Sequence, residues 1–482
     1  MSEFQSELDR GAALHNAGNL PAAEAIYRQI LSRDPNNAGA LHLLGLVANA
    51  VGRNDVAADL IQRAVTIQPG NITAWSNLTE ITRRLGDNAR AKQCALQALA
   101  LDPDHAPAHH NLAAILEEED DIDGAIVHYR AAIKSWPHFS NPHIGLGSTL
   151  RMSGDFKESL EAHRRGVELA PNNPEAHARM ALVLLVQGHL EEGLEEFEWR
   201  FRSPKFSPLT DDLPQPRWNG SDPAGKTILL RAEQGAGDTI QFIRYAPMIV
   251  ARGGKVLVQC PPPLNSLLSR SMPEIQFLST PDLPPFDFQC PIMSLPRAFK
   301  TRMDSIPGDV PYLKADPEKV AAWKRELAAD ALNVGLVWAG RPDHIHDRIR
   351  STSLATLSPL ATVTGVRFFS LQKGDRAIDA KNPPAGMNLI DVGDRLRDFS
   401  DTAALIDALD LLIGVDTSVV HLAGALAKPV WTLLPTMPDW RWFLDRTDSP
   451  WYPMMRLFRQ KSPGDWAGVV DAIVRELKQT KL

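Results

Sequence analysis

Apolar and small residues along this chain follow two rhythms. Up to about residue 200 they recur with helical spacing, interrupted every 34 residues by a proline: Pro35, Pro69, Pro103, Pro137 and Pro171. Small residues keep the same register. Ala23, Ala57, Ala91 and Ala125 lie twelve positions before four of the prolines, and Ala64, Ala98, Ala132 and Gly166 lie five positions before. Tyr27 and Tyr129 share a phase between them. Small residues at a fixed phase let two helices cross closely, and proline ends the second helix because its ring cannot continue it. Segments such as "DIDGAIVHYRAAIKSWP" therefore read as a turn followed by the second helix of a pair. The pattern predicts a solenoid of five to six helix pairs, each burying one face on the next. A divergent last copy runs from about Pro174 to Arg202.

The helical period is lost in "RFRSPKFSPLTDDLPQPRWNGSDPAGK", a proline-rich stretch. Beyond it come short continuous apolar runs: "TILLR", "KVLVQC", "NVGLVWAG", "VRFFSLQ", "MNLIDVG", "LLIGV" and "PVWTLLP". Helical patterns separate them, which predicts βαβ units and parallel sheets. A charged helix, "DPEKVAAWKRELAAD", divides this half into two lobes. The expected organisation is a repeat solenoid over 1–205, a linker over 206–226, a first Rossmann-like lobe over 227–315 and a second over 316–482.

Composition sharpens the division. At 482 residues, 44% hydrophobic and 23% charged, the chain has material for about three domains of ~150 residues. The first 205 residues carry 19 basic and 27 acidic side chains, the remainder 32 and 31. Eleven of the fourteen histidines fall in the first part, so the second keeps only His344, His346 and His421. A net charge of −7 argues against nucleic acid as a partner. Cys94, Cys260 and Cys290 lie far apart, which suits a reducing compartment rather than a disulfide scaffold. The polar start lacks a signal-like apolar core, and no uncharged run is long enough to span a bilayer. A cytoplasmic location is the expectation.

Candidate chemistry concentrates where apolar runs end. "LLIGVDTSVVHLAGALA" places Asp416, Thr417, Ser418, Val419 and His421 where a strand gives way to an apolar helix. The free N–H groups and dipole of such a helix suit a diphosphate. "TILLRAEQGAGDTIQFIRYAP" has the same plan in the first lobe. Asp238 is its candidate general base and Glu233 a second carboxylate in the same loop. Either Asp416 and Thr417 or Asp238 can instead simply cap a helix. "WAGRPDHIHDRIRS" follows the first strand of the second lobe, making Trp338, Gly340 and Arg350 candidates to line the cleft, with Lys373 after the next strand. Trp440 and its neighbours in "PDWRWF" follow a later strand and are candidates to cover a donor or serve as packing. His344 and His346 lack a nearby third ligand, and the second half has no Asp-x-Asp motif, so neither a metal nor a cofactor is expected.

The repeat register resembles the tetratricopeptide repeat. The Asp-Thr-Ser-Val-Val-His element is similar to the donor-binding element of heptosyltransferases, glycosyltransferase family 9, with Ser418 where that family has glycine. Together with "EFEWRF", "PDWRWF" and "DSPWYPMMRLFRQ", the chain resembles a bacterial group in which tetratricopeptide repeats precede a heptosyltransferase-like half. Its plan is similar to those of repeat-bearing O-GlcNAc transferases and flagellin glycosyltransferases. The resemblance implies an α-solenoid followed by a GT-B-type pair of Rossmann-like lobes. It also implies an inverting, metal-independent transferase taking a nucleotide-sugar donor, with Asp238 as base. A protein or peptide acceptor, flagellin-like, would lie on the repeat arm. Asn77 and Asn111 occupy the position whose asparagines bind peptide backbone in the O-GlcNAc transferase arm. Two other readings stay open: a repeat scaffold whose transferase half has lost activity, and an enzyme acting on a saccharide acceptor.

Overall fold

A computed structural model describes residues 4–479, apart from 204–205, 207–208, 210–212, 279–281, 328 and 345. Packing divides it into two units, Met1–Arg179 and Met180–Leu482. The first unit is helical. Its pairs are Gln5–Asn16 with Leu20–Arg33, Ala38–Ala50 with Asn54–Ile67, Ile72–Arg84 with Asn88–Leu101, Ala106–Glu118 with Ile122–Ser135, and Ser140–Ser153 with Phe156–Leu169. Each helix packs on the next, and the first helices of successive pairs also touch. This is the expected tetratricopeptide solenoid.

The local chemistry repeats with the sequence. Within each pair the chain turns through a left-handed residue: Gly18, Gly52, Gly86 and Gly154, with Asp120 taking the same place in the fourth pair. Asp87, Asp121 and Asp155 then accept the backbone N–H three residues on, capping the following helix. At the crossing, a side chain on Gly45 would stand 2.5 Å from Ile61. A further device recurs six residues after each of four prolines. Trp75, His109, His143 and His177 donate a ring N–H to the carbonyls of Pro69, Pro103, Pro137 and Pro171, at 2.8, 2.8, 3.1 and 2.9 Å. A carbonyl only accepts, so these histidines need no charge to make the bond. Three of the eleven histidines in the first part lock these turns.

The second unit starts within the helix Pro174–Val186 and takes in Leu190–Phe197 and the 3₁₀ turn Glu198–Arg202. Residues 216–218 are not a free linker: they run beside a sheet strand, with Arg217 bridged to Gln289 and Trp218 N–H bonded to the Gln289 carbonyl at 2.8 Å. The expected linker's residues 207–208 and 210–212 lie outside the described residues.

Two sheets follow. The first holds β1 (Thr227–Arg231), β2 (Lys255–Gln259), β3 (Gln276–Leu278) and β4 (Phe288–Pro291), in the order β3-β2-β1-β4, all parallel. The second holds β5 (Leu332–Val337), β6 (Val366–Ser370), β7 (Leu389–Asp391), β8 (Leu411–Val415), β9 (Val430–Leu434), β10 (Asp448–Ser449) and β11 (Tyr452–Arg459). Their order is β10-β11-β9-β8-β5-β6-β7, parallel except for the β10 edge. Strand order reverses beside β1 and β4 in one sheet and beside β5 and β8 in the other. Ligands in open parallel sheets bind beyond the carboxyl ends at such points. The loops after β1, β5 and β8, which carry Asp238, Arg350 and Asp416–His421, are therefore the loops the topology favours.

Candidate functional site

The loop after β1 ends in the helix Ala236–Phe242, and the loop after β8 ends in the helix Ser418–Ala425. Their first turns meet. A side chain on Gly237 would stand 3.1 Å from the His421 ring and 3.4 Å from Ser418 Cα, so the two helix starts approach closely at this glycine. Asp238 accepts the Gly235 N–H on Oδ2 at 2.7 Å and pairs through Oδ1 with Arg441. It is a helix cap and an ionic partner together. Burial raises its pKa against the lowering pull of Arg441 and the Gly235 N–H.

Across from it, Thr417 precedes its helix in extended backbone, and its Oγ1 is buried without a hydrogen-bond partner. A buried hydroxyl costs free energy when unmatched, and this one lies at the N-terminus of a helix with unused backbone donors. Ser418 and Val419 begin the helix, half-buried. His421 stacks on Trp442, ring centres 5.0 Å apart, and its Nδ1 lies 3.0 Å from the Tyr452 hydroxyl. Burial brings its pKa down to about 3, so the ring is neutral at physiological pH. Its Nε2 lies 3.8 Å from Asp416.

Burial, reinforced by the charge of Asp439, pushes Asp416 up to about 6. A carboxyl whose folded pKa exceeds its unfolded value stabilises the protein at low pH, and that contribution is lost as pH rises through the folded pKa. Between pH 4 and 7 the wild type should therefore lose about 1–3 kcal/mol relative to Asp416→Asn. Chemical denaturation at the two pH values measures this, and parallel profiles would remove the assignment.

Several candidates turn out to be committed elsewhere. Glu233 forms a bidentate pair with Arg200, at 2.8 and 3.0 Å, and accepts the Met293 N–H. Both side chains are fully buried, so Glu233 supports the loop and is not a second free base. Trp338 is fully buried in the second lobe's core, its indole N–H on Asp379; it is packing, not a cleft surface. Lys373 donates to the Gly393 carbonyl at 2.8 Å. Arg350 pairs with Asp347 and lies against Gly340, where a side chain would stand 2.4 Å from its guanidinium. Gly340 thus leaves room for Arg350. Asn77 and Asn111, in the first unit, each reach back one repeat: Asn77 lies 2.9 Å from the His42 ring, and Asn111 donates to the Ser76 carbonyl at 3.0 Å.

The structure gives the "PDWRWF" loop a specific part and adds Arg244, which no motif singled out. Arg441 bridges Asp238 and Asp439. Arg244, buried, donates to the carbonyls of Gln241, Pro307 and Trp451 and to the Tyr312 hydroxyl, with its guanidinium over the Tyr312 and Tyr452 rings. It fastens the first lobe to the segment that carries Tyr452. The segments "PDWRWF" and "DSPWYP" were the available signal. Phe443 and Asp445, in the same loop, adopt left-handed backbone, a strain concentrated beside the site. Arg459 holds this loop by donating to the carbonyls of Trp442 and Arg446. Residues 443–446 also line a cavity of about 460 Å³ together with Gln187, His189 and Met303.

A helical repeat array followed by two parallel α/β sheets, with paired helix starts at their switch points, defines the class, and sequence comparison agrees. The tetratricopeptide repeat matches residues 8–72 and 82–138, and glycosyltransferase family 9 (heptosyltransferase) matches residues 364–442. The chain carries tetratricopeptide repeats and a C-terminal glycosyltransferase family 9 domain. The latter match takes in Asp416–His421 and Arg441 but stops short of Asp238.

The chain is similar to Protein FlbA of Caulobacter vibrioides, 27% identical over 310 residues. The match covers 58% of this chain and 52% of FlbA, so the chain spans about half the length of that curated relative. Solved structures with similarity include MamA (22% identical, covering 33% of this chain and 94% of that one, TM-score 0.30). The APC/C hetero-tetramer Cut9-Hcn1 is 18% identical, with 42% and 40% covered and a TM-score of 0.39. A thermophilic tetratricopeptide protein of Thermus thermophilus is 21% identical, with 38% and 98% covered and a TM-score of 0.33. Among the described residues no helix is long and apolar enough to cross a membrane.

Proposed function

We propose that the C-terminal unit is an inverting, GT-B-type glycosyltransferase using a nucleotide-sugar donor and no metal, and that the repeat unit binds a protein acceptor. One observation carries the reading. Two helix starts approach closely at Gly237, one bearing Asp238 and the other preceded by the buried, unmatched Thr417 hydroxyl. The donor's diphosphate would sit on the start of Ser418–Ala425, held by Thr417, Ser418 and the dipole, with neutral His421 closing the floor. Arg350, paired with Asp347 on the β5 loop, and Arg441 are cations close to this helix start. Asp238 would take the proton from an acceptor hydroxyl as its oxygen bonds to the sugar's anomeric carbon. The bond from that carbon to the phosphate oxygen breaks, and the nucleoside diphosphate leaves with its electron pair. The cavity at 443–446 offers an entry for the acceptor. Asn77 and Asn111 belong to the acceptor side of the proposal.

Thr417→Val tests the donor site cleanly. Valine keeps the shape and removes a buried hydroxyl that has no partner, so stability should stay unchanged or rise. Binding of a nucleoside diphosphate should weaken by roughly 10- to 150-fold, the worth of one hydrogen bond to a charged group. Calorimetry with ADP, GDP, UDP, CDP and dTDP on the full chain measures it. Equal affinity in wild type and variant would take Thr417 out of the site.

A further inference from the structure

Both carboxylate oxygens of Asp238 already hold a partner. Oδ1 is held by Arg441, and Oδ2 accepts the Gly235 N–H. A carboxylate paired with a guanidinium and holding an amide is a weaker base toward a hydroxyl proton, because both partners stabilise its charged form. Arg441 in turn serves more than one carboxylate. It pairs with Asp238 and Asp439, and the charge of Asp416 also acts on it. Yet its Nε is buried without a hydrogen-bond partner. Its guanidinium lies 5.2 Å from the Phe242 ring centre and 4.8 Å from that of Trp440. The side chain is 6% exposed, so its ion pairs lie out of bulk solvent.

Resting on the donor-site reading above, we propose that Arg441 is a positioning residue that masks Asp238 until the donor's diphosphate draws the guanidinium away and frees Oδ1 as the base. A diphosphate offers several oxygens in fork geometry and more charge than one carboxylate, which suits an arginine. Donor must then bind before the acceptor can be deprotonated. The charged and titratable groups around this pair are Glu233 with its partner Arg200, Asp416, Asp439, His421, Arg350 and Arg244. Among the described residues, Asp238 forms its ion pair with Arg441.

Such a hand-over predicts a coupling that a structural ion pair would not produce. If Asp238 and the diphosphate compete for Arg441, Asp238→Asn removes the competitor and should tighten nucleoside-diphosphate binding about 3- to 10-fold. Arg441→Gln should weaken it by about 10-fold or more, and adding Asp238→Asn to that variant should change nothing further. The measurement is calorimetry on the full chain with ADP, GDP, UDP, CDP and dTDP. If Arg441→Gln does not fold, Arg441→Met is the second background, since it keeps the packing on Phe242 and Trp440. Tightening of the same size with and without Arg441 would be a plain field effect and would overturn the hand-over. So would unchanged affinity in Asp238→Asn. Failure of the wild type to bind any of the five nucleotides would overturn the donor-site reading and this proposal together, which separates the two failures.

Discussion

Asp238→Asn should lower turnover by roughly 10²–10⁴, the range that a positioned general base contributes. The substitution keeps the shape, and its amide oxygen can still accept the Gly235 N–H that Asp238 accepts at 2.7 Å. It cannot take a proton at neutral pH. The raised pKa of Asp238 has burial as its largest cause, and that places the carboxylate closer to the pH at which a base is useful. The expected pattern is a fall in kcat with the chain still folded and still binding nucleotide. The assay is transfer, or slow hydrolysis, of a nucleotide-sugar that the wild type consumes. Activity within a few-fold of wild type would assign the proton transfer to another group. Glu233 is not the natural substitute, because Arg200 holds both its oxygens.

That pair gives the largest expected effect on stability. Arg200 and Glu233 are fully buried, and Arg200 also reaches Glu198, Ser294 and the Phe197 carbonyl. Arg200→Met leaves Glu233 buried without its counter-charge, which typically costs about 3–5 kcal/mol. Adding Glu233→Gln removes the stranded charge and should restore a large part of that loss. Denaturant unfolding of the two variants and the wild type measures the difference. The consequence reaches the site, because Glu233 lies in the loop between β1 and the Asp238 helix. Arg200→Met should therefore also reduce activity in the fraction that remains folded. A double variant no more stable than Arg200→Met would show that the pair is not what holds this loop.

The repeat half could be read from the chain because its information is local and periodic. A proline every 34 residues, small residues at two phases and capping aspartates each act within a few residues. Even the left-handed turn follows the register, with Asp120 where the other turns have glycine. The strand-to-helix turns at Asp238 and Asp416 were legible for the same reason: an apolar run, then small and acidic residues, then an apolar helix.

What a side chain in a loop actually does was not legible, because it depends on partners far away in sequence. Trp338 looks like a cleft residue until the core closes over it. Lys373 looks like a phosphate ligand until the turn after β7 brings the Gly393 carbonyl to it. Glu233 and Asp238 sit five residues apart in one acidic, glycine-rich loop, and nothing local distinguishes them. The fold does so, by burying Arg200 against one and setting Arg441, 203 positions away, against the other. The sequence by itself determined the repeat register, the alternation of strands and helices and the positions of the two helix starts, since these follow from short-range sterics and hydrophobic period. Only the tertiary structure decided which charges pair, because Coulomb energy and desolvation are set by distance and burial in space, not by separation along the chain.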